Sequence, residues 1–225
     1  MTTSGSIGFR IVNDVPRASA DMVEAFRGKA SSNVGDAMGR FHFMDPGIVS
    51  RTGRPVCGVA VTVMVRPGDN LMVHKALEVA GPGDIVVVNT GGNTTSAVFG
   101  ELMCRTAVGA GLGGIVVDGA IRDADGLAAL GFPAFSRSVN PGGCDKDGPG
   151  EINVPVSCGG TAVLPGDLIL GDGDGVVVIP REDAEAVLAM VEALEGREAA
   201  RIAAIDDGEL FKAEIDETLR RRGVL

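Results

Sequence analysis

Over residues 18–29 (ASADMVEAFRGK) apolar side chains recur three and four positions apart, which predicts a helix behind a Ser19 cap with Met22, Val23 and Phe26 on one face. SSNVGDAMGR starts a second, short helix. VCGVAVTVMV (56–65) is rich in valine and closed by the turn RPGDN, so it reads as a strand. Helical spacing returns over LMVHKALEVA (71–80), with Asp69 and Asn70 as candidate caps. After GPGD, IVVVN (85–89) is a short buried strand. The loop TGGNTTS then leads into a predicted helix over AVFGELMCRTAVGAG (97–111). GIVVDG follows as a strand and ADGLAALG as a short helix. Strands alternating with helices in this way imply an α/β core with parallel pairing.

From Pro133 the texture changes. PAFS, EINVPVS, GTAVL, LILG and GVVVIP are short runs separated by Pro, Gly and Asp turns, and they read as hairpins that add antiparallel strands to the core. Residues 181–204 form a long amphipathic helix with Val187, Met190, Val191 and Leu194 as its stripe, and a second helix over about 209–222 follows Gly208. The expected organisation is an α/β core over 1–180 and a helical arm over 181–225 that serves as a subunit contact.

Charge narrows the classes. The chain carries 20 basic against 30 acidic residues, net −10, which argues against a sequence-independent nucleic-acid binder. Arg220 to Arg222 read as a solvated helix end. Cys57, Cys104, Cys144 and Cys158 lack C-x-x-C spacing and read as reduced, mostly buried thiols. MTTSGSIGFRIV lacks the features of a signal peptide, and no apolar run approaches the ~18 residues of a membrane span. The expectation is a soluble, cytoplasmic protein that binds neither nucleic acid nor membrane.

Several motifs fail on context. GAGLGG (109–114) matches G-x-G-x-x-G, but its glycines close a helix and precede a strand, the reverse of a dinucleotide fingerprint. GDGDG (171–175) opens like a calcium loop, yet Val176 and Asp183 stand where further ligands belong, so it reads as a hairpin turn. His42 and His74 are distant and no third histidine exists, which disfavours zinc. No G-x-S-x-G elbow occurs. Lys29, Lys75, Lys146 and Lys212 all lie away from apolar strand ends, which gives a Schiff-base mechanism little support.

Two elements remain, each with two readings. GGNTTSAVFGELM (91–103) is either an ordinary capped helix start or, if Phe99 or Gly100 interrupts the helix, a fresh N-terminus at Gly100 to Met103 able to hold a carboxylate or phosphate. Arg122 and Asp123 are either a surface ion pair or a functional pair. In the second reading the guanidinium faces a planar anion and the carboxylate a hydrated hard cation such as Mg2+.

GELMCRTAVGAGLGGIVVDGAIRD and GGCDKDGPGEINVPVSCGGTAVLPGDLILGDGDGVVVIPREDA resemble the 4-hydroxy-4-methyl-2-oxoglutarate aldolase family, which also contains the regulator of ribonuclease activity A. The resemblance covers roughly residues 30–205. It implies a swivelling β/β/α fold with mixed sheets, assembled as a homotrimer or a dimer of trimers with sites between subunits. It also implies that Gly100, Glu101, Leu102 and Met103 hold a substrate carboxylate through backbone N–H groups. Arg122 would contact the keto or enolate oxygen, and Asp123 would ligate Mg2+ or Mn2+. Glu101 is the nearest match to an acidic catalytic side chain of the family's substrate loop, and Glu198 to a glutamate supplied by a neighbour's C-terminal helix. The activity so implied is class II pyruvate aldolase chemistry on 4-hydroxy-2-oxo acids in aromatic catabolism, with oxaloacetate decarboxylation at the same site. The alternatives are a non-catalytic regulator that binds an RNA-degrading enzyme, or a related keto-acid or sugar-acid lyase.

Overall fold

The computed structural model describes residues 1–225. Strands β1 (Thr2–Ser4) and β2 (Ile11–Asn13) form a hairpin, followed by helices α1 (Ala20–Phe26) and α2 (Ser31–Ala37). Ser19 caps α1 by accepting from the Met22 N–H at 3.2 Å, and Phe26 is fully buried. After β3 (Val49–Ser50) comes β4 (Val56–Val65), whose bounds coincide with the valine-rich run. The ten residues of β4 serve two partners in succession along one edge. Its first half pairs antiparallel with β12 and its last three residues with β9, while the middle pairs parallel with β5 on the other side.

Helix α3 (Leu71–Val79) leads to β5 (Ile85–Asn89), then β6 (Ala97–Phe99), α4 (Glu101–Gly109), β7 (Gly114–Ile121), α5 (Ala124–Ala129) and β8 (Ala134–Val139). Strands β4, β5, β7 and β8 are mutually parallel. Alternation along β5 and β7 sorts their side chains into two layers. Val86, Val88, Ile115 and Val117 join the core under α3 and α4; Ile85, Val87 and Val116 join the opposite core. Both faces are covered, which explains the unbroken apolar runs.

Strand β9 (Gly150–Ile152) pairs with β2 and β4, β10 (Val156–Cys158) with β11 (Thr161–Val163), and β12 (Leu168–Gly171) with β13 (Val176–Ile179). The result is a mixed α/β fold built on a large mixed sheet. GDGDG is the turn of the β12–β13 hairpin, where the Asp172 carboxylate accepts from the Ser31 N–H and hydroxyl. GAGLGG closes α4 and feeds β7.

The structure corrects three expectations. Residues 97–99 are a strand, so α4 begins at Glu101 rather than Ala97. The PAFS segment is no hairpin arm: β8 runs parallel to β7 and only its other neighbour, β3, is antiparallel. In α6 (Ala184–Asp206), Ala184, Val187 and Val191 face the body, whereas Met190 is 46% exposed and lies off that stripe.

Helix α6 packs on α1 and α2 through Val187 and Val191 and is held further along by Lys29 to Glu195 at 2.6 Å and by Asn33 to Glu198 at 2.7 Å. Beyond Gly196 the helix and α7 (Ala213–Arg221), which ends in the exposed Arg220 to Arg222, bury no residue. All four cysteines are free, with Cys104 and Cys158 buried. No helix is long and apolar enough to cross a membrane.

Candidate active site

Strands β6 and β7 run side by side, pairing Ala97 with Ala120 and Phe99 with Ile121, so the chain leaves both at the same edge. Phe99 passes into Gly100 and α4; Ile121 passes into Arg122, Asp123 and α5. The Arg122 N–H donates to the Phe99 carbonyl at 2.9 Å, locking the two exits together. This is the carboxyl end of parallel strands, where open α/β sheets place their ligand crevices.

Asp123 adopts φ +58°, a left-handed conformation uncommon for a residue with a β-carbon. Its Oδ2 accepts from the Glu101 N–H at 3.0 Å and lies 3.6 Å from Arg122 Nε. Arg122 and Asp123 therefore approach each other while both line one cavity of about 220 Å3 with Gly100, Leu102 and Met103. Gly100 is required by this packing. A β-carbon there would fall 2.7 Å from Asp123 Oδ2 and 2.9 Å from Arg122 Cγ.

Glu101 contributes its N–H but not its carboxylate to this arrangement. The side chain turns along α4 to Arg105, at 2.6 Å, and lies over Gly126 of α5. Glu198 is exposed on α6, bound to Asn33 of the same chain, and does not line the cavity.

The opposite wall was not visible as a site in the sequence. It consists of Asn70, His74, Cys144 and Lys146, brought together by Asp69. The buried Asp69 carboxylate accepts from the N–H groups of Leu71, Asp147 and Gly148, each at 2.8 Å. It thus caps α3 and clamps the 144–148 loop in one step, while the Asn70 side chain makes no cap bond. Burial works against the charge on Asp69, but those donors, with Arg66 nearby, hold its carboxyl below the ordinary value. The only sequence signal was the pair of candidate caps before α3; nothing local couples Asp69 to residues 147 and 148.

Lys146 has no carboxylate within 4 Å, so its charge is free to act on the cavity. Burial, and then Lys146, push the His74 imidazole below its usual pKa, which keeps it neutral at pH 7. Burial, with Asp69 and Asp145 behind it, pushes the Cys144 thiol up and makes it a poor nucleophile. His42 lies in another cavity, beside α6.

The donor set suits one kind of cation. No three His, Cys, Asp or Glu side chains converge, which leaves the single half-exposed carboxylate of Asp123. A hard divalent cation such as Mg2+, which retains water and borrows substrate oxygens, fits such a site; zinc does not.

The mixed α/β fold thus sets a helix N-terminus, an arginine and a lysine around one crevice, groups whose charge and donors are complementary to a small anion. The chain belongs to the RraA-like family, whose Aldolase/RraA model matches residues 31–178. It is 41% identical over 192 residues to a Halalkalibacterium halodurans protein named "Putative 4-hydroxy-4-methyl-2-oxoglutarate aldolase", covering 85% of this chain and 91% of that one. The crystal structure of an uncharacterized Pseudomonas syringae protein superposes with TM-score 0.78 at 27% identity, covering 88% of this chain and 93% of the other. The RNA-processing inhibitor RraA of Thermus thermophilus superposes with TM-score 0.63 at 31% identity, covering 67% and 92%. The family thus joins proteins named as aldolases with a named RNA-processing inhibitor.

Proposed function

We propose that this chain is a divalent-cation-dependent aldolase that cleaves 4-hydroxy-2-oxo acids to pyruvate. Its substrates are of the 4-hydroxy-4-methyl-2-oxoglutarate or 4-carboxy-4-hydroxy-2-oxoadipate type. The observation that carries this reading is the meeting of the α4 N-terminus, Arg122 and Asp123 in one cavity. The Glu101 N–H is given to Asp123, while the first-turn N–H groups of Leu102 and Met103 lack intrahelical partners and, with the helix dipole, favour the substrate's 1-carboxylate. Arg122 then offers its fork of donors to the adjacent 2-oxo oxygen, where charge develops as the C3–C4 bond breaks. Asp123 would hold Mg2+ or Mn2+, which supplies Lewis-acid polarisation of the 2-oxo group.

The balance of the reaction is simple. The 4-hydroxyl gives its proton to a water in the cavity, C4 becomes a carbonyl, and the C3–C4 electron pair passes into a pyruvate enolate. Protonation at C3 releases pyruvate. Lys146 gives the far wall a positive charge suited to a second carboxylate on the substrate. Loss of CO2 from oxaloacetate reaches the same enolate, so that decarboxylation belongs to the same site. The working form in this reading is a cytoplasmic homotrimer or dimer of trimers with sites between subunits. The 80% exposure of Leu102 at the cavity supports cover from a neighbour.

A lactate-dehydrogenase-coupled assay tests the proposal. Pyruvate should form from 4-hydroxy-4-methyl-2-oxoglutarate and from oxaloacetate with Mg2+ present, and stop in saturating EDTA. The second reading, a non-catalytic regulator of an RNA-degrading enzyme, is favoured by the likeness to the T. thermophilus inhibitor and by the net charge of −10, which suits a basic protein partner. No pyruvate from either substrate, together with inhibition of an RNA-degrading enzyme by the added chain, would decide for it.

A further inference from the structure

Glu101 is the first residue of α4, so its side chain starts where the helix N-terminus opens on the cavity, between the lining residues Gly100 and Leu102. Helical side chains lean back towards the N-terminus, and carboxylates are favoured there, which would place this charge beside Asp123. The side chain runs the other way. Both Nε and Nη2 of Arg105, one turn along α4, donate to Glu101 Oε1, at 2.9 and 2.6 Å. The second carboxylate oxygen is seated on α5. A β-carbon at Gly126 would fall 2.6 Å from Glu101 Oε2 and 3.0 Å from its Cδ. Gly126 lies inside α5 without a positive φ, a place where alanine is the better helix former, so its missing β-carbon serves the seat and not the backbone.

We infer that Arg105 and Gly126 are positioning residues that hold the Glu101 carboxylate outside the cavity, leaving Asp123 as its single carboxylate and so setting its balance between cation and anion. This rests on the aldolase reading of the site, in which one cavity must take a divalent cation and a substrate carboxylate together. The Glu101 N–H already touches Asp123, so a change of rotamer brings a second negative charge to the same wall. A second carboxylate there strengthens the hold on a hard cation and repels the anionic ligand. An exposed ion pair at this spacing biases a side chain only about twofold, so the seat at Gly126 is needed beside it.

The test is a pair of calorimetric titrations on the full chain, with Mn2+ alone and with pyruvate in the presence of Mg2+. Arg105→Ala combined with Gly126→Ala should bind Mn2+ about threefold or more tighter and pyruvate about threefold or more weaker than the wild type. Adding Glu101→Gln to that variant should remove most of both shifts. The loss of the Arg105 charge itself acts with or without Glu101→Gln, so the comparison isolates the released carboxylate. Gly126→Ala alone, which keeps Arg105, should shift both affinities in the same directions by less. Unchanged affinities in the double variant overturn the inference, as do shifts equally large with Glu101→Gln present, or a wild type that binds neither ligand. A wild type that forms no pyruvate in the coupled assay removes the aldolase reading instead; the titrations need no turnover and decide on Arg105 and Gly126 by themselves.

Discussion

Around Gly100 three demands meet within one residue. The chain must turn from β6 into α4, the Asp123 carboxylate must reach the Glu101 N–H, and the Arg122 stem must pass over the turn. The backbone of Gly100 is extended, at φ −153°, so the demand is for space and not for a special dihedral. Gly100→Ala should therefore displace Asp123 and Arg122, lowering stability by about 1–3 kcal/mol. Activity should fall with it, and a thermal melt read beside the coupled assay checks both. Arg122→Ala and Asp123→Ala should each abolish pyruvate formation while leaving the assembly intact, because both side chains are about half exposed and support no core. An Arg122→Ala enzyme that kept more than a tenth of kcat/KM would have lost only about 1.4 kcal/mol, too little for an enolate stabiliser.

Between elements, the clamp made by Asp69 matters most, since its carboxylate holds Asp147 and Gly148 to the start of α3 beside the backbone bonds that join Asp145 to Gly68 and Asn70. Asp69→Ala strips a charged acceptor from three buried or half-buried N–H groups and should cost about 2–3 kcal/mol. Hydrogen exchange should then rise first at Asp147 and Gly148. Because the folded carboxyl lies below its unfolded value, the clamp's contribution is complete above the unfolded pKa, near 4, and drains away as pH falls through the folded pKa. Wild-type stability should fall more steeply than that of Asp69→Asn as pH drops below about 4, in denaturant titrations carried into acid. The same scale shows what a sequence can carry. The bounds of β4 were legible because valine spacing and the RPGDN turn are local signals. The start of α4 was not, because Ala97, Val98 and Phe99 satisfy helix and strand spacing equally, and only pairing with β7 decides between them. The parallel setting of β8 was hidden in the same way. Arg122, Asp123 and the Gly100 turn could be singled out from neighbouring residues, whereas Asn70 and Lys146, 76 positions apart, meet only through tertiary bonds of residues 68–70 to residues 145–148.

At the level of the whole molecule, the unpartnered surface lies along the arm. Val191 is the last buried residue of α6, and beyond it Ile202, Ile205, Leu210, Phe211 and Ile215 are all at least 42% exposed, with Phe211 at 87%. A chain of net charge −10 gains nothing in solubility from such side chains, and apolar surface gathered on a projecting element is the signature of a contact. If the arm joins protomers into the trimer or dimer of trimers proposed above, Leu210→Asp with Phe211→Asp should lower the sedimentation mass. The body should stay folded, because neither residue packs on it. The outcome for turnover then separates two kinds of assembly. Where a neighbour completes the cavity beside Leu102, pyruvate formation falls in step with the fraction dissociated and returns at high protein concentration. Where each protomer carries a finished site, the rate per chain stays constant across the same dilution series. Analytical ultracentrifugation and the coupled assay on one set of samples distinguish them, and a wild type that sediments as a monomer at micromolar concentration would sink the proposed assembly.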